Sequence, residues 1–258
     1  MEFTIEVAAL AFGLFLGMLI CLELGRRIGI RKMLIDPEGA RIGVGAIEGA
    51  VFALLGLLIA FTFSGAASRL DARRQLIAEE ANAIGTAYLR LELVSTDARQ
   101  RLREIFRRYV DVRLSLYQKL TDSSATQEAM AKTAAVQGEI WSQAVVACRE
   151  EGSQSATMLI LPALNQMIDI TTTRAVAARL HPPTIIFAML YVLSLISAVM
   201  AGYGMAPQKK PSWVHIVGFA AITSLTLYVI LDLEYPRFGF IRIDQADQVL
   251  LQLRQSIQ

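Results

Sequence analysis

The fold is decided by one stretch, residues 57–91, which reads LLIAFTFSGAASRLDARRQLIAEEANAIGTAYLRL. Its first part is apolar enough for a lipid bilayer and its second part is charged, yet no proline separates the two. Apolar residues of the second part are spaced by three, four or seven and share one helix face: Leu70, Ile77, Ala81, Ile84, Tyr88 and Leu91. The pattern predicts one continuous helix, from about Val44 to Leu93, that leaves the bilayer and carries on.

Composition indicates a membrane protein. Hydrophobic residues make up 54% of the 258 residues, and the mean hydropathy is +0.46, which is too apolar for an ordinary soluble domain. The charged residues, 19% of the chain, are concentrated in its middle, and the net charge is only +2. The lipid bilayer is therefore an expected partner, whereas a near-neutral charge gives no basis for binding nucleic acid.

Four apolar segments are long enough to cross a hydrocarbon core, which takes about 20 helical residues. They lie near residues 4–24, 44–66, 183–204 and 213–233. No Lys or Arg precedes the first segment, so it is interpreted as a retained span rather than a signal peptide. The chain is thus predicted to be an all-α, polytopic membrane protein with four transmembrane helices.

The residues between the second and third spans have helical periodicity and predict an antiparallel bundle outside the membrane. Three further apolar stripes mark its other helices: Leu102 to Leu116, Met130 to Cys148 and Leu161 to Ala178. The predicted domains are a transmembrane hairpin, the bundle, a second hairpin and an interfacial C-terminal tail: 1–66, 67–181, 182–234 and 235–258. Within the tail, Pro236 stops the helix and Gly239 permits a turn, so that the chain lies along the interface or folds back on the bundle.

Two polar pairs in the predicted bundle are candidate sites. Glu79 and Glu80 are adjacent and point about 100° apart on a helix, so they are either a solvated face paired with arginines or part of a polar site. Asn165 and Asp169 lie one turn apart, which favours a buried hydrogen-bond network that fixes helix register. A cation site that joins Asp169 to Glu80 is the weaker alternative.

Other catalytic chemistry is scarce. The two histidines, His181 and His215, have no metal-ligand spacing, and the sequence has neither a glycine-rich phosphate loop nor a nucleophile elbow. Cys21 and Cys148 are interpreted as small apolar residues. We therefore expect no cofactor, no metal and no enzymatic activity.

The second span carries two stripes. Small residues recur every three or four positions and allow another helix backbone to come close: Gly45, Gly49, Ala53, Gly56, Ala60, Ser64 and Ala67. Leu55, Ile59 and Phe63 form a bulky apolar line, which either meets lipid and neighbouring helices or closes a pore by excluding water. Glu48, the only acidic residue of this span, is a candidate for the pore mouth.

Three motifs in order resemble the bacterial bestrophin-like family, also known as domain of unknown function 4239. They are AFTFSGAASRLDARRQLIAEEANAIGTAYLRL, AGYGMAPQKKPSWVH and ILDLEYPRFGFIRID, beginning at residues 60, 201 and 230. Bestrophins are pentameric anion channels with a hydrophobic neck on the second span, so the resemblance implies a homo-oligomer, with Leu55, Ile59 and Phe63 as the neck. The run of acidic residues that binds calcium in true bestrophins is reduced here to Asp232, Glu234 and Asp244.

The predicted function is an oligomeric channel for small inorganic ions. The alternative is a non-conducting membrane scaffold or sensor that binds a partner through the bundle. Five basic residues follow the first span and none precedes it: Arg26, Arg27, Arg31, Lys32 and Arg41, with Lys209 and Lys210 in the other short loop. The positive-inside rule then places the short loops in the cytoplasm and the bundle in the periplasm of the bacterial inner membrane. Five arginines on the bundle side and the resemblance to bestrophins favour the opposite orientation: Arg69, Arg73, Arg74, Arg174 and Arg179.

Overall fold

The computed structural model describes residues 2–36, 44–118, 123–207 and 212–257, and all regular secondary structure in these ranges is helical. The α-helices within them are α1 Glu2–Ile35, α2 Val44–Leu89, α3 Thr96–Gln118, α4 Ser123–Glu151, α5 Gln154–Arg179, α6 Thr184–Gly204, α7 Trp213–Glu234 and α8 Asp244–Ser256. Four helical segments, those that contain α1, α2, α6 and α7, are long and apolar enough to cross a membrane. The predicted all-α membrane fold with four spans is confirmed.

Helix α2 is continuous, as the opening stretch predicted. It runs unbroken through Ser64–Ser68 for 46 residues, about 69 Å at 1.5 Å per residue, and a 3-10 helix, Arg90–Leu93, extends it. The chain nevertheless divides into two compact units, residues 1–68 with 181–241 and residues 69–180 with 242–258. We describe each unit by itself.

In the first unit, α1 packs against α6 and α7. The core consists of apolar residues from all four of its helices: Leu14, Met18, Leu22, Leu55, Leu190, Ala198, Ile216, Ala220 and Leu227. Helix α1 continues past residue 24, the predicted end of the span, to Ile35. No proline interrupts the basic stretch that follows the span, so it prolongs the helix instead of forming a loop.

Glycines bring α1 and α6 into backbone contact. A Cβ atom on Gly25 would overlap the carbonyl oxygen of Val199, and one on Gly202 would overlap that of Leu22. A Cβ atom on Gly29 would lie 2.6 Å from the Cβ of Ala206, so the close approach continues for another turn. Small residues at this contact let two spanning helices pack tightly, as is typical of membrane proteins.

In the second unit, α3 packs against α4 and α8, and α4 packs against α5. The largest fully buried side chains of this unit include Ile77, Phe106, Tyr109, Ile140 and Leu164. Gly152 separates α4 from α5 with a φ of 65°, which favours glycine. The side chain of Ser153 then caps α5 by accepting a hydrogen bond from the backbone amide of Ala156.

Of the two courses predicted for the segment after α7, folding back on the bundle is the one observed, since residues 242–258 belong to the second unit. In the first unit the carboxylate of Asp232 accepts hydrogen bonds from the backbone amides of Phe240 and Ile241, which closes a turn. In the second unit the next residues form α8, which packs on α3 with Leu250 fully buried and Arg254 bonded to Asp111. The sequence analysis did not predict this helix, although Val249, Leu250 and Leu253 lie at helical spacing.

Candidate functional site

The spanning part of α2 has little contact with the rest of its own chain. Only 6% of its apolar window is buried, against 28–33% for the other three candidate spans. An apolar helix that its own chain leaves uncovered must contact lipid or another protein chain. The exposed face of α2 is therefore the main candidate for a functional surface in the first unit.

The predicted strip of small residues lies on this uncovered face. Gly45, Gly49 and Gly56 have no other part of the chain within 4 Å of the position that a Cβ atom would take. Ala53, Ala60 and Ser64 are likewise exposed. Within one chain these residues pack against nothing, in contrast to Gly25 and Gly202.

The predicted constriction is wrong for Leu55. Its side chain is 4% exposed and belongs to the core with α1, α6 and α7, and Ile59 packs partly against the same core. A residue that its own chain buries is not available to line a pathway between chains. Phe63 is exposed but lies at the edge of the strip of small residues. Spacing along α2 identified an apolar line, but it could not reveal which face the other helices cover.

A second bulky line lies on the opposite side of α2. Leu54, Leu57 and Phe61 are all exposed, Phe61 by 67%. Leu57 and Leu55 are two residues apart, or about 200° around the helix, so Leu57 points almost directly away from the core. The uncovered face thus combines small residues with a line of large apolar ones.

Glu48, the candidate for the pore mouth, lies on the same side of α2 as Leu55, seven residues away, and not on the uncovered face. A Cβ atom built on Gly204, at the end of α6, would be 3.0 Å and 3.1 Å from the two carboxylate oxygens of Glu48. The oxygen Oε1 is buried and has no hydrogen-bond partner among the described residues. The carboxylate therefore packs over the end of α6 and does not extend from the uncovered face.

In the second unit, Glu80 is the centre of a buried charge cluster. Its side chain is fully buried; Oε1 lies 2.6 Å from Nε of Arg113, and Oε2 contacts Nη1 of Arg174. The two arginine side chains are only 5% and 10% exposed. The carboxylate therefore links α2 to α3 and α5. The predicted pairing with arginines holds for Glu80, but the predicted solvated face is wrong because the pairs are buried.

The electrostatics of the cluster favour an ionised Glu80. Burial raises the pKa of this carboxyl, but the guanidinium groups of Arg113 and Arg174 outweigh burial and hold the pKa below its ordinary value. Beside them, burial raises the pKa of Tyr109 to about 12, so the phenol is neutral at physiological pH. The amide of Gln137 donates to the hydroxyls of Tyr109 and Thr171 at 3.2 Å and 3.3 Å. Polar groups from four helices thus meet inside the bundle.

Glu79 is exposed, in contrast to its neighbour, and accepts a hydrogen bond from the amide of Gln75 at 2.8 Å. Asn165 and Asp169 are exposed as well, so the predicted buried network between them is wrong for the single chain. Among the described residues, no group of three or more His, Cys, Asp or Glu side chains is placed to hold a metal ion.

The partners of Glu80 were missed although the sequence contains a signal for them. Glu80 lies three residues after Ile77 and four before Ile84, which places it on the buried stripe of α2. Arg113 lies four residues after Tyr109 on the stripe of α3. Opposite charges on two buried stripes are an indication of pairing, because a buried charge needs a partner.

The comparisons with known proteins agree with the fold. A family model described as the Bestrophin-like domain matches residues 43–247. Two crystal structures of variants of a bacterial bestrophin homologue from Klebsiella pneumoniae are similar, with TM-scores of 0.67 and 0.66 at 14% and 15% identity. The first match covers 95% of this chain and 98% of the other, the second 93% and 97%. No curated protein sequence matches the chain. At such low identity the structural likeness shows the fold alone.

Proposed function

Because the chain belongs to the bestrophin-like family, we propose that it forms a homo-oligomeric ion channel in which copies of α2 surround the pathway. The observation that supports this most is the uncovered α2, of whose apolar window only 6% is buried within the chain. The resemblance to bestrophins favours five copies. The short-loop residues Lys209 and Lys210 lie outside the described residues and take no part in the argument.

The two stripes of the uncovered face have different roles in this proposal. The strip from Gly45 to Ser64 packs against α2 of the neighbouring copy, since small residues permit close backbone contact. Leu57 and Phe61, with Leu54 beside them, face the axis and form a constriction that excludes water. They replace Leu55, Ile59 and Phe63 as the proposed constriction, because Leu55 points into the core of its own chain.

Conductance of the purified protein in planar lipid bilayers tests the proposal. We expect Leu57→Ala with Phe61→Ala to raise the conductance, because a wider and less apolar constriction holds water more readily. Leu225→Ala is the matched control: it removes the same type of exposed apolar side chain from α7 and should leave the conductance unchanged. If the wild type and the double variant both assemble and carry no current, the non-conducting scaffold becomes the better account.

For topology we propose that the chain lies in the bacterial inner membrane with its short loops in the cytoplasm and the bundle in the periplasm. Arg27, Arg31 and Lys32 at the end of α1 are exposed and support this orientation by the positive-inside rule. Of the arginines on the bundle side, Arg73 and Arg174 are engaged inside the bundle, which weakens the opposing argument. A reporter enzyme that works only in the periplasm should be active when it is inserted between α3 and α4. Activity at the same position of a reporter that works only in the cytoplasm would reverse the orientation.

A further inference from the structure

The end of α1 carries a group of basic residues on a helix that continues without a break from a membrane span. They follow closely on residue 24, the predicted end of the span: Arg26, Arg27, Arg31 and Lys32. In a loop, such side chains would have no fixed direction. Because α1 runs on to Ile35, the helix sets the direction of each one.

The basic residues continue a side of α1 that the rest of the chain leaves uncovered within the span. On that side Ile20 is 60% exposed and Leu24 is 49% exposed. Arg27 lies seven residues after Ile20, and Arg31 lies seven after Leu24. At about 100° per residue, each arginine points within about 20° of the apolar residue that precedes it by seven. One stripe of the helix therefore changes from apolar to basic where the span ends.

The opposite side of α1 is held against α6. A Cβ atom on Gly29 would lie 2.6 Å from the Cβ of Ala206, so the two helices are in close contact at this level. Arg27 and Arg31 are each two residues from Gly29, or about 200° around the helix. The contact with α6 therefore directs both arginines outward.

The end of α1 keeps a net positive charge. Glu23 accepts hydrogen bonds from Arg26 at 2.9 Å and from Arg27 at 2.7 Å, and so offsets part of the charge. Arg31 and Lys32 are exposed, and neither forms an ion pair with a residue that the structure describes. These two cations are therefore available to an anionic partner.

The depth of the basic residues matches the lipid headgroups. At 1.5 Å per residue, Arg27 and Arg31 lie about 4.5 Å and 10.5 Å beyond Leu24 along the helix axis. The headgroup region extends about 5–8 Å from the hydrocarbon core on each side of a bilayer. Long basic side chains can bend so that their charged ends lie in this region. A stripe that is apolar in the core and basic at this depth is complementary to a phospholipid, which joins acyl chains to a phosphate.

We propose that the end of α1 binds anionic phospholipid, with Arg31 and Lys32 on the headgroup phosphate. Ile28, which is 53% exposed, contacts the adjoining part of the acyl chains. It precedes Arg31 by three residues and Lys32 by four, so the three side chains are neighbours on the helix surface. A free phosphate ion would use the cations alone, whereas this surface adds an apolar contact that a lipid fills. The binding does not depend on whether the protein conducts ions.

The expected effect is several-fold. Each Lys or Arg near an anionic membrane surface contributes about 1 kcal/mol, which corresponds to about a fivefold preference. Neutralising both Arg31 and Lys32 should therefore reduce the preference for anionic over neutral lipid at least fivefold. Salt should weaken the preference as well, because the Debye length falls from about 10 Å at 0.1 M to about 3 Å at 1 M.

The test is quenching of a single tryptophan by brominated lipids in reconstituted vesicles. The reporter is Ile28→Trp in a Trp141→Phe, Trp213→Phe background, which removes both native tryptophans. The vesicles are phosphatidylcholine with a small fraction of either brominated phosphatidylglycerol or brominated phosphatidylcholine. We expect stronger quenching by the phosphatidylglycerol, and we expect Arg31→Gln with Lys32→Gln to reduce that preference at least fivefold.

The matched control is Arg101→Gln with Arg107→Gln, which removes two cations from α3 in the second unit and should leave the preference unchanged. Equal quenching by the two brominated lipids overturns the proposal, and so does an equal loss of preference in the control. Absence of quenching by either lipid also overturns it, because another protein chain then covers this side of α1.

A second measurement needs no tryptophan reporter and decides the question if Ile28→Trp does not fold. Native mass spectrometry counts the lipids that the protein retains from mixed vesicles of phosphatidylglycerol and phosphatidylcholine. The wild type should retain more phosphatidylglycerol than Arg31→Gln with Lys32→Gln. Equal retention by these two proteins would overturn the proposal.

Discussion

Neutralising Glu80 should destabilise the bundle strongly, because this carboxylate holds two buried arginines in place. Glu80 is fully buried and both arginine side chains are at most 10% exposed, so water cannot replace the lost contacts. Removing one partner of a buried ion pair costs about 3–5 kcal/mol. We therefore expect Glu80→Gln to lower the free energy of unfolding of the bundle by about that amount.

The matched control is Asp111→Asn, which removes the carboxylate that pairs with Arg254. That pair is partly solvated, with side chains 54% and 35% exposed, and should contribute about 1 kcal/mol or less. Urea unfolding in detergent, followed by the fluorescence of Trp141 in a Trp213→Phe background, reports on the bundle because Trp141 belongs to α4.

Comparable losses of stability in Glu80→Gln and Asp111→Asn would contradict the reasoning, since they would show that burial adds nothing to the Glu80 pair. A further check is replacement of Glu80, Arg113 and Arg174 together by apolar residues of similar size. Because a buried ion pair and a well-packed apolar group are often equivalent in stability, this triple variant should be more stable than Glu80→Gln.

Three further predictions follow from the described contacts. The folded state holds the pKa of Glu80 below its ordinary value of 4.5. The ionised carboxylate therefore stabilises the fold fully above about pH 4.5, and this stabilisation is lost as the pH falls below that value. In unfolding measured across that range, Glu80→Gln should lack this dependence of stability on pH. Gly202→Leu should prevent folding of the first unit, because the new side chain overlaps the backbone of α1, whereas Gly56→Leu should give a folded chain that fails to assemble. Size-exclusion chromatography with light scattering distinguishes these two results. Loss of folding in both variants would contradict the account. Asp232→Ala leaves the amides of Phe240 and Ile241 without their acceptor and should lower stability by about 1–3 kcal/mol in thermal unfolding, an effect that an unchanged melting temperature would refute.

The helices were predictable because their signals are local. Apolar spacing from Leu70 to Leu91 and the lack of proline gave a continuous α2, and four long apolar segments gave the spans. The stop at Gly152 and the cap at Ser153 are also readable from sequence, since each acts on the residues next to it. Fold class therefore follows from periodicity and composition alone.

The orientation of each helix about its axis was less predictable. The assignment of Leu55 to a pore failed because the packing of α1, α6 and α7 decides which face of α2 is covered. That packing includes the close approach of α1 and α6, in which Gly25 lies against Val199 and Gly202 against Leu22. The glycines of α2 looked equally suited to close packing but contact nothing in their own chain. Sequence spacing does not distinguish contacts within a chain from contacts between chains.

The charge cluster shows a similar limit. Glu79 and Glu80 look alike in the sequence, and only the apolar stripe from Ile77 to Ile84 indicates that Glu80 faces inward. The arginine partners come from helices more than 30 and 90 residues away, and their arrival at one point is a property of the folded bundle.

The central claim is that the side of α2 opposite Leu55 faces the ion pathway, and cysteine accessibility under voltage clamp tests it most directly. Cys21 and Cys148 are first replaced by Ala, and single cysteines are then introduced as Leu57→Cys, Phe61→Cys and Leu55→Cys. A membrane-impermeant, thiol-reactive cation should block current through channels with Leu57→Cys or Phe61→Cys and leave those with Leu55→Cys unaffected. Block at Leu55→Cys alone, or the absence of block at Leu57→Cys and Phe61→Cys in conducting channels, would contradict the claim.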